Sequence, residues 1–275
     1  MKRATEFVTL ALALALAATA TASAGELMVH PTRVVLEGTA RTAQIDLINS
    51  GTEPMTYRVS VINRRMTETG DFTKVDAPAA GEQFANDMIR FSPRQVVLQP
   101  GVAQAVRVQL RKPAELAEGE YRTHLLFQAL PPGAPPAPEG DAPADGVDIQ
   151  LTAIYSVSIP VIVRHGTTAA SVSLGDLELR RSAAAAPALA VSIGRTGSRS
   201  VYGDLTVHLR PARGAEKVIA RANGVAVYAP NAVRRVVLPL PALAAGIPAG
   251  DLRVTFSERP EQRQKATADA VLAVR

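Results

Sequence analysis

Residues 93–110 read PRQVVLQPGVAQAVRVQL, and the fold class is worked out from them. Val106, Val108 and Leu110 alternate with Arg107 and Gln109, the period-two pattern of a strand with one face turned inward. Gln99-Pro100-Gly101 is a turn signal between that strand and the Pro93–Leu98 run before it. Strand, turn and strand then recur in both directions. Upstream lie Glu26–Glu37, Thr42–Asn49 and Met55–Asn63, the last with Tyr57, Val59 and Val61 on one face. Downstream lie Tyr121–Leu130 and Val147–Val163. Runs of this length, separated by Gly, Pro and Asn turns, predict an all-β sandwich rather than a βαβ fold. The one helix expected in this half is a short segment over Gly81–Met88.

The pattern then repeats without detectable sequence identity. Ser171–Leu179, Leu189–Ile193, Val201–Leu209, Glu216–Ala220, Val233–Leu238, Leu252–Phe256 and Ala268–Val274 are short alternating runs. The Ala183–Ala186 run stops at Pro187 and reads as a loop. A boundary is expected at His165-Gly166-Thr167-Thr168, giving domains over 25–166 and 167–275.

The chain has 275 residues, 47% of them apolar and 20% charged, enough for two ordinary cores. It has no cysteine, which excludes a disulfide scaffold, a thiolate metal site and a Cys nucleophile. The net charge of +5 is spread along the chain, and six Phe, five Tyr and no Trp offer few stacking rings. Nucleic acid is therefore not an expected partner. Met1-Lys2-Arg3, the apolar run Phe7–Ala18 and Ala22-Ser23-Ala24 have the form of a secretory signal cleaved after Ala24. The apolar run is too short to span a bilayer, so an exported protein without membrane insertion is expected.

Leu130–Gly146, LPPGAPPAPEGDAPADG, carries six prolines and three glycines and does not read as a packed segment. It leads straight into VDIQLTAIYSVSI, Val147–Ile159, where Val147, Ile149, Leu151, Ala153, Tyr155, Val157 and Ile159 alternate with mostly polar residues. At about twice the usual strand length, the first half is expected to overhang its own sheet. Such an edge invites pairing unless something covers it. It is either a terminal strand folded on its own core or a strand lent to a partner.

Four segments in order resemble the periplasmic chaperones of the chaperone–usher pilus pathway, the PapD-like family. They are Pro31-Thr32-Arg33-Val34-Val35-Leu36-Glu37-Gly38, then Phe91–Gly101 followed by Gln104-Ala105-Val106-Arg107-Val108, then Gly119-Glu120-Tyr121-Arg122-Thr123-His124-Leu125, and last Ile159-Pro160-Val161-Ile162-Val163-Arg164. The resemblance covers residues 26–166 and fades beyond them. It implies two immunoglobulin-like β-sandwich domains set at an angle, with a subunit-binding cleft between them. It implies donor-strand complementation, in which the last strand of the first domain completes a pilus subunit that is later handed to an outer-membrane usher. The donor strand would be Val147–Tyr155, inserting Val147, Ile149, Leu151 and Ala153, with Tyr155 closing the set and the register open by about two residues.

By the same resemblance Arg33 anchors the C-terminal carboxylate of the subunit, a task suited to a guanidinium's paired donors. Arg164 supports the domain–domain contact. The Lys that usually supplies the second anchor is missing, since Ser158, Ile159 and Pro160 stand in that region. Either Arg33 acts alone or another basic residue substitutes. The usual D-R-E-S segment is replaced by Glu120-Tyr121-Arg122-Thr123, which points to a divergent branch. The partners implied are pilus subunits and the usher, and self-association of the free chain would also cover the edge.

No cofactor and no metal are expected. His30, His124, His165 and His208 lack ligand spacing, and no catalytic motif is present, so no enzyme activity is expected. The competing reading is an exported two-domain carbohydrate- or surface-adhesion module, disfavoured by the absence of Trp platforms. A pilus subunit would carry its alternating extension at the N-terminus, whereas here it is internal.

Overall fold

The structure, a computed structural model, describes residues 27–130, 154–181, 186–244, 246, 248–259 and 266–274. Eleven strands precede residue 166: β1 Leu27–His30, β2 Val34–Leu36, β3 Thr42–Asn49, β4 Met55–Ile62, β5 Arg64–Met66, β6 Phe72–Lys74, β7 Ile89–Ser92, β8 Gln95–Leu98, β9 Ala103–Leu110, β10 Gly119–Leu130 and β11 Ser156–His165. Their alternation sets the layers. Val96 and Leu98 of β8 and Val106, Val108 and Leu110 of β9 are buried, while Val97 and Arg107 between them are exposed. Gly101 closes the turn between these strands at φ +71°, a conformation that L side chains resist, and its N–H donates to Asn49 O at 2.8 Å.

Two sheets result, in the orders β1-β3-β9-β7 and β2-β11-β10-β4-β8, and β5 and β6 form a separate hairpin. Tyr57, Leu36, Ile45, Leu47, Leu125 and Phe127 lie at the centre of the core between the sheets. Seven further strands, β12 Ala170–Arg180, β13 Ala188–Gly197, β14 Val201–Pro211, β15 Lys217–Val227, β16 Val233–Pro239, β17 Gly250–Glu258 and β18 Thr267–Val274, build a second sandwich from sheets ordered β12-β13-β16 and β15-β14-β17-β18. Its own core centres on Leu189, Ile193, Leu205 and Phe256. No α-helix occurs among the described residues.

Three expectations change. The single run expected over Glu26–Glu37 is two strands in different sheets: β1 pairs antiparallel with β3, and β2 pairs parallel with β11. The crossing is Pro31-Thr32-Arg33, where a proline without an N–H cannot extend a ladder. The helix expected over Gly81–Met88 is only a 3-10 turn, Asn86–Met88. The backbone groups a helix would use are taken by β10: Arg122 N–H donates to Gln83 O at 2.9 Å, and Ala85 N–H donates to Arg122 O at 3.3 Å. The Glu82 carboxylate is likewise committed, accepting from Ala79 N–H at 2.8 Å and pairing with Arg65 at 2.6 Å. Finally, the strand expected over Val147–Val163 begins at Ser156, with Ile154 and Tyr155 outside it. Val147, Ile149, Leu151 and Ala153 lie outside the described residues, as do residues 183–185 of the Ala run.

Candidate functional site

The sheet face that carries the site is written into β10. Odd residues Tyr121, Leu125, Phe127 and Ala129 enter the first core, so Glu120, Arg122 and His124 point out of the opposite face. Yet all three are buried: Ser200 and Tyr228 of the second sandwich lie against Glu120 and Arg122, and Phe72 of β6 lies against His124. From the second sandwich come Tyr202 on β14, Tyr228 just after β15 and Arg234 on β16. Met66 and Ile162 of the first sandwich and Ala226 and Tyr228 of the second make a small apolar core between the two.

Arg33 sits at the sheet crossing, half-buried, with its Cζ 4.6 Å from the centroid of the Tyr202 ring and 5.5 Å from that of Tyr228. None of its three guanidinium nitrogens has a hydrogen-bond partner among the described residues, although all three are buried. Arg122 stacks on Tyr228 at 4.4 Å, and its Nη1 is buried and unpartnered as well. Burial holds the Arg122 guanidinium below its ordinary pKa, and the Arg33 charge pushes the same way. His124 follows on the same face, with neither ring nitrogen bonded and its ring edge-on to Phe72 at 5.4 Å. Burial first, and then the charges of Arg122 and Arg64, push it down from 6.5 to about 3, so it is neutral. Two guanidiniums with buried, unspent donors beside a neutral imidazole have the chemistry to hold an anion that accepts several hydrogen bonds.

The second feature is a lane along β11. Ala129 N–H donates to Tyr155 O at 2.9 Å, so in the antiparallel β10–β11 pair odd residues of β11 turn their backbone groups to β10. Even residues Ser156, Ser158 and Pro160 therefore turn theirs outward. β2 occupies that outer lane only opposite Val161, Ile162 and Val163. Among the described residues nothing pairs with the lane from Ser156 to Pro160. Pro160 has no N–H to offer there, and Arg33 stands immediately before β2, at the lane's end. The side chains of Val157, Ile159, Val161 and Val163 pack in the home core, but Tyr155 on the same parity is 53% exposed. The core face thus runs out between residues 155 and 157.

Arg164 lies at the domain junction. Its Nε donates to Glu120 Oε2 at 3.0 Å and its Nη1 to Glu37 at 3.2 Å, while Glu120 also accepts from the N–H (3.1 Å) and Oγ of Ser200 in the second sandwich. Of the five tyrosines only Tyr155 is exposed. No group of three or more His, Asp or Glu that could hold a metal is found among the described residues.

No family model matches the sequence. No curated protein matches it either. Solved structures similar to the chain include the Pseudomonas aeruginosa CupB2 chaperone, at 12% identity over 89% of this chain and 100% of that one, TM-score 0.44. The E. coli chaperone DraB is 16% identical over 90% of this chain and 96% of that one, TM-score 0.44. A structure of the Salmonella enterica SafA pilin with the SafB chaperone gives 15% identity over 90% and 96%, TM-score 0.43.

The sequence singled out Arg33 and Arg164 but left Arg122, Tyr202 and Tyr228 unmarked as site residues. A signal for Arg122 was present: Glu120, Arg122 and His124 at i, i+2 and i+4 put three ionisable groups on one face of an otherwise apolar run. The tyrosines carry no such signal, because only the packing of the second sandwich brings them to the arginines.

Proposed function

We propose that the chain is a periplasmic chaperone of the chaperone–usher type, which binds pilus subunits through strand addition along β11 and delivers them to an outer-membrane usher. The observation that carries this reading is the meeting of the lane's end with Arg33 and Arg122. A strand laid against Ser156–Pro160 reaches a proline without a donor and then β2, so it must stop there. A chain that stops there in the direction of β2 ends in a carboxylate, and two guanidiniums with unspent donors stand at that point. Such a strand runs parallel to β11, as β2 does. Arg122 then takes the part of the missing second basic anchor. The alternating sequence Val147–Tyr155 is the stretch lent to the subunit, and the form of Met1–Ala24 supports export to the periplasm.

The test is periplasmic co-expression of the full chain with pilus subunits, followed by affinity purification. Wild type is expected to retain a subunit. Arg33→Ala and Leu151→Asp are each expected to lose it while keeping the thermal midpoint within a few degrees. A folded wild type that retains no subunit overturns the reading, and a Leu151→Asp chain that unfolds places that side chain in the home core instead.

A further inference from the structure

We infer that Tyr228, with Tyr202 beside it, is the positioning residue that aims the Arg33 and Arg122 guanidiniums, so that the second sandwich is part of the capture site. The inference rests on the carboxylate reading above and adds to it what holds the anchors. A guanidinium can be fixed in two ways. Hydrogen bonds fix it by consuming its in-plane donors, whereas an aromatic ring fixes it by its face and leaves those donors free.

Arginines of both kinds meet at this interface. Arg164, Arg195 and Arg199 spend donors on Glu120, on the carbonyl of Gly197 at 2.7 Å, and on Glu258 at 3.1 Å. Arg33 and Arg122 stack instead, Arg33 with all three nitrogens and Arg122 with Nη1 buried and unspent. Arg64 and Arg234, which do hydrogen-bond, each leave a buried Nε over. The rings alternate with the cations: Arg259 at 5.1 Å from Tyr202, Tyr202 at 4.6 Å from Arg33, Tyr228 at 5.5 Å from Arg33 and 4.4 Å from Arg122.

Tyr228 touches both anchors, so it sets their spacing as well as their planes. It is itself locked, packed among Met66, Ile162 and Ala226 with Phe72 at 6.0 Å. Tyr202 keeps its place because residue 224 is a glycine at φ +70°, where a Cβ would stand 2.9 Å from the Tyr202 hydroxyl. Both rings belong to the second sandwich and both anchors to the first, so the anchors are aimed only while the two are in contact.

The test is a titration of the ¹⁵N-labelled full chain, following arginine side-chain Nε–H signals. The probe is N-acetylalanine, whose one charge is a terminal carboxylate, and its amide is the neutral twin. The acid is expected to shift the Arg33 and Arg122 signals and the amide to leave them. Tyr228→Leu is expected to weaken the acid by about tenfold, and Tyr228→Phe, which keeps the ring face, to stay within about twofold of wild type. Tyr202→Leu is expected to weaken it by about threefold, and decides the matter alone if Tyr228→Leu does not fold.

Acid binding unchanged in a folded Tyr228→Leu chain, or lost equally in Leu and Phe, overturns the inference while leaving the carboxylate site standing. Acid that shifts neither arginine in wild type overturns the carboxylate reading itself.

Discussion

Arg122 costs the fold something. A buried guanidinium with an unpartnered nitrogen, held below its usual pKa mainly by desolvation, is destabilising relative to an apolar side chain in the same place. Arg122→Leu is therefore expected to raise stability by about 1–2 kcal/mol in thermal or urea melts while abolishing subunit capture. A variant less stable than wild type would mean that Arg122 serves the interface and not a ligand. His124 beside it gives a separate readout. Its native value of about 3 lies below the ordinary 6.5, so between those values the unfolded chain takes up a proton that the native chain refuses. Stability is full above pH 6.5 and declines as pH falls toward 3, by at most about 1.4 kcal/mol per unit. Glu82, Asp204 and Glu216, all held below their ordinary values, add to the loss only nearer pH 4. The slope between pH 6.5 and 5 therefore belongs to His124, and melts of His124→Phe over that window are expected to lose it.

The strands were legible because period-two alternation survives wherever one face is buried and the other is wet, as in β8 and β9. β10 was legible as a strand but not as a site, since its outward face is covered by residues that lie far along the chain. The β5–β6 hairpin carried no apolar alternation, and its Met66 finds burial only against the second sandwich. Nor does the sequence tell which strand edge stays open, because that depends on β2 beginning only after Arg33. The edge makes an expectation of its own. Ser156 turns its N–H outward into the lane, so Ser156→Pro removes a donor that no home strand uses. Val157, opposite Phe127, turns its N–H to β10. Ser156→Pro is expected to weaken subunit capture by about tenfold at unchanged thermal midpoint, whereas Val157→Pro is expected to cost about 2–4 kcal/mol of stability. Equal effects from the two prolines would mean that the lane does not receive a strand.

At the scale of the whole molecule, two cores that share no residue are joined by a seam of apolar and polar contacts. The apolar part is Met66 and Ile162 against Ala226 and Tyr228, flanked by hydrogen bonds from Asn231 Nδ2 to Met66 O at 2.7 Å and from Arg235 N–H to Glu68 O at 2.6 Å. The polar part is the Glu120 carboxylate, buried between Arg164 on its own side and Ser200 on the other. Ser200 is held in turn, its Oγ accepting from Ala229 N–H at 2.9 Å. Because Glu120 bonds to both sandwiches, neither can open without stranding part of that network. The molecule is thus expected to melt in a single calorimetric transition despite its two cores. Arg164→Leu leaves the Glu120 carboxylate buried without its counter-ion, at a cost of about 3–5 kcal/mol. Relief comes by parting the seam and letting water reach Glu120, so the variant is expected to melt in two transitions, the second sandwich near the wild-type temperature and the first below it. Since Tyr202 and Tyr228 leave with the second sandwich, the same variant is expected to lose carboxylate binding although neither Arg33 nor Arg122 is altered. A wild type that already melts in two steps, or an Arg164→Leu chain that keeps one transition and full binding, would show that Glu120 and Arg164 do not couple the sandwiches.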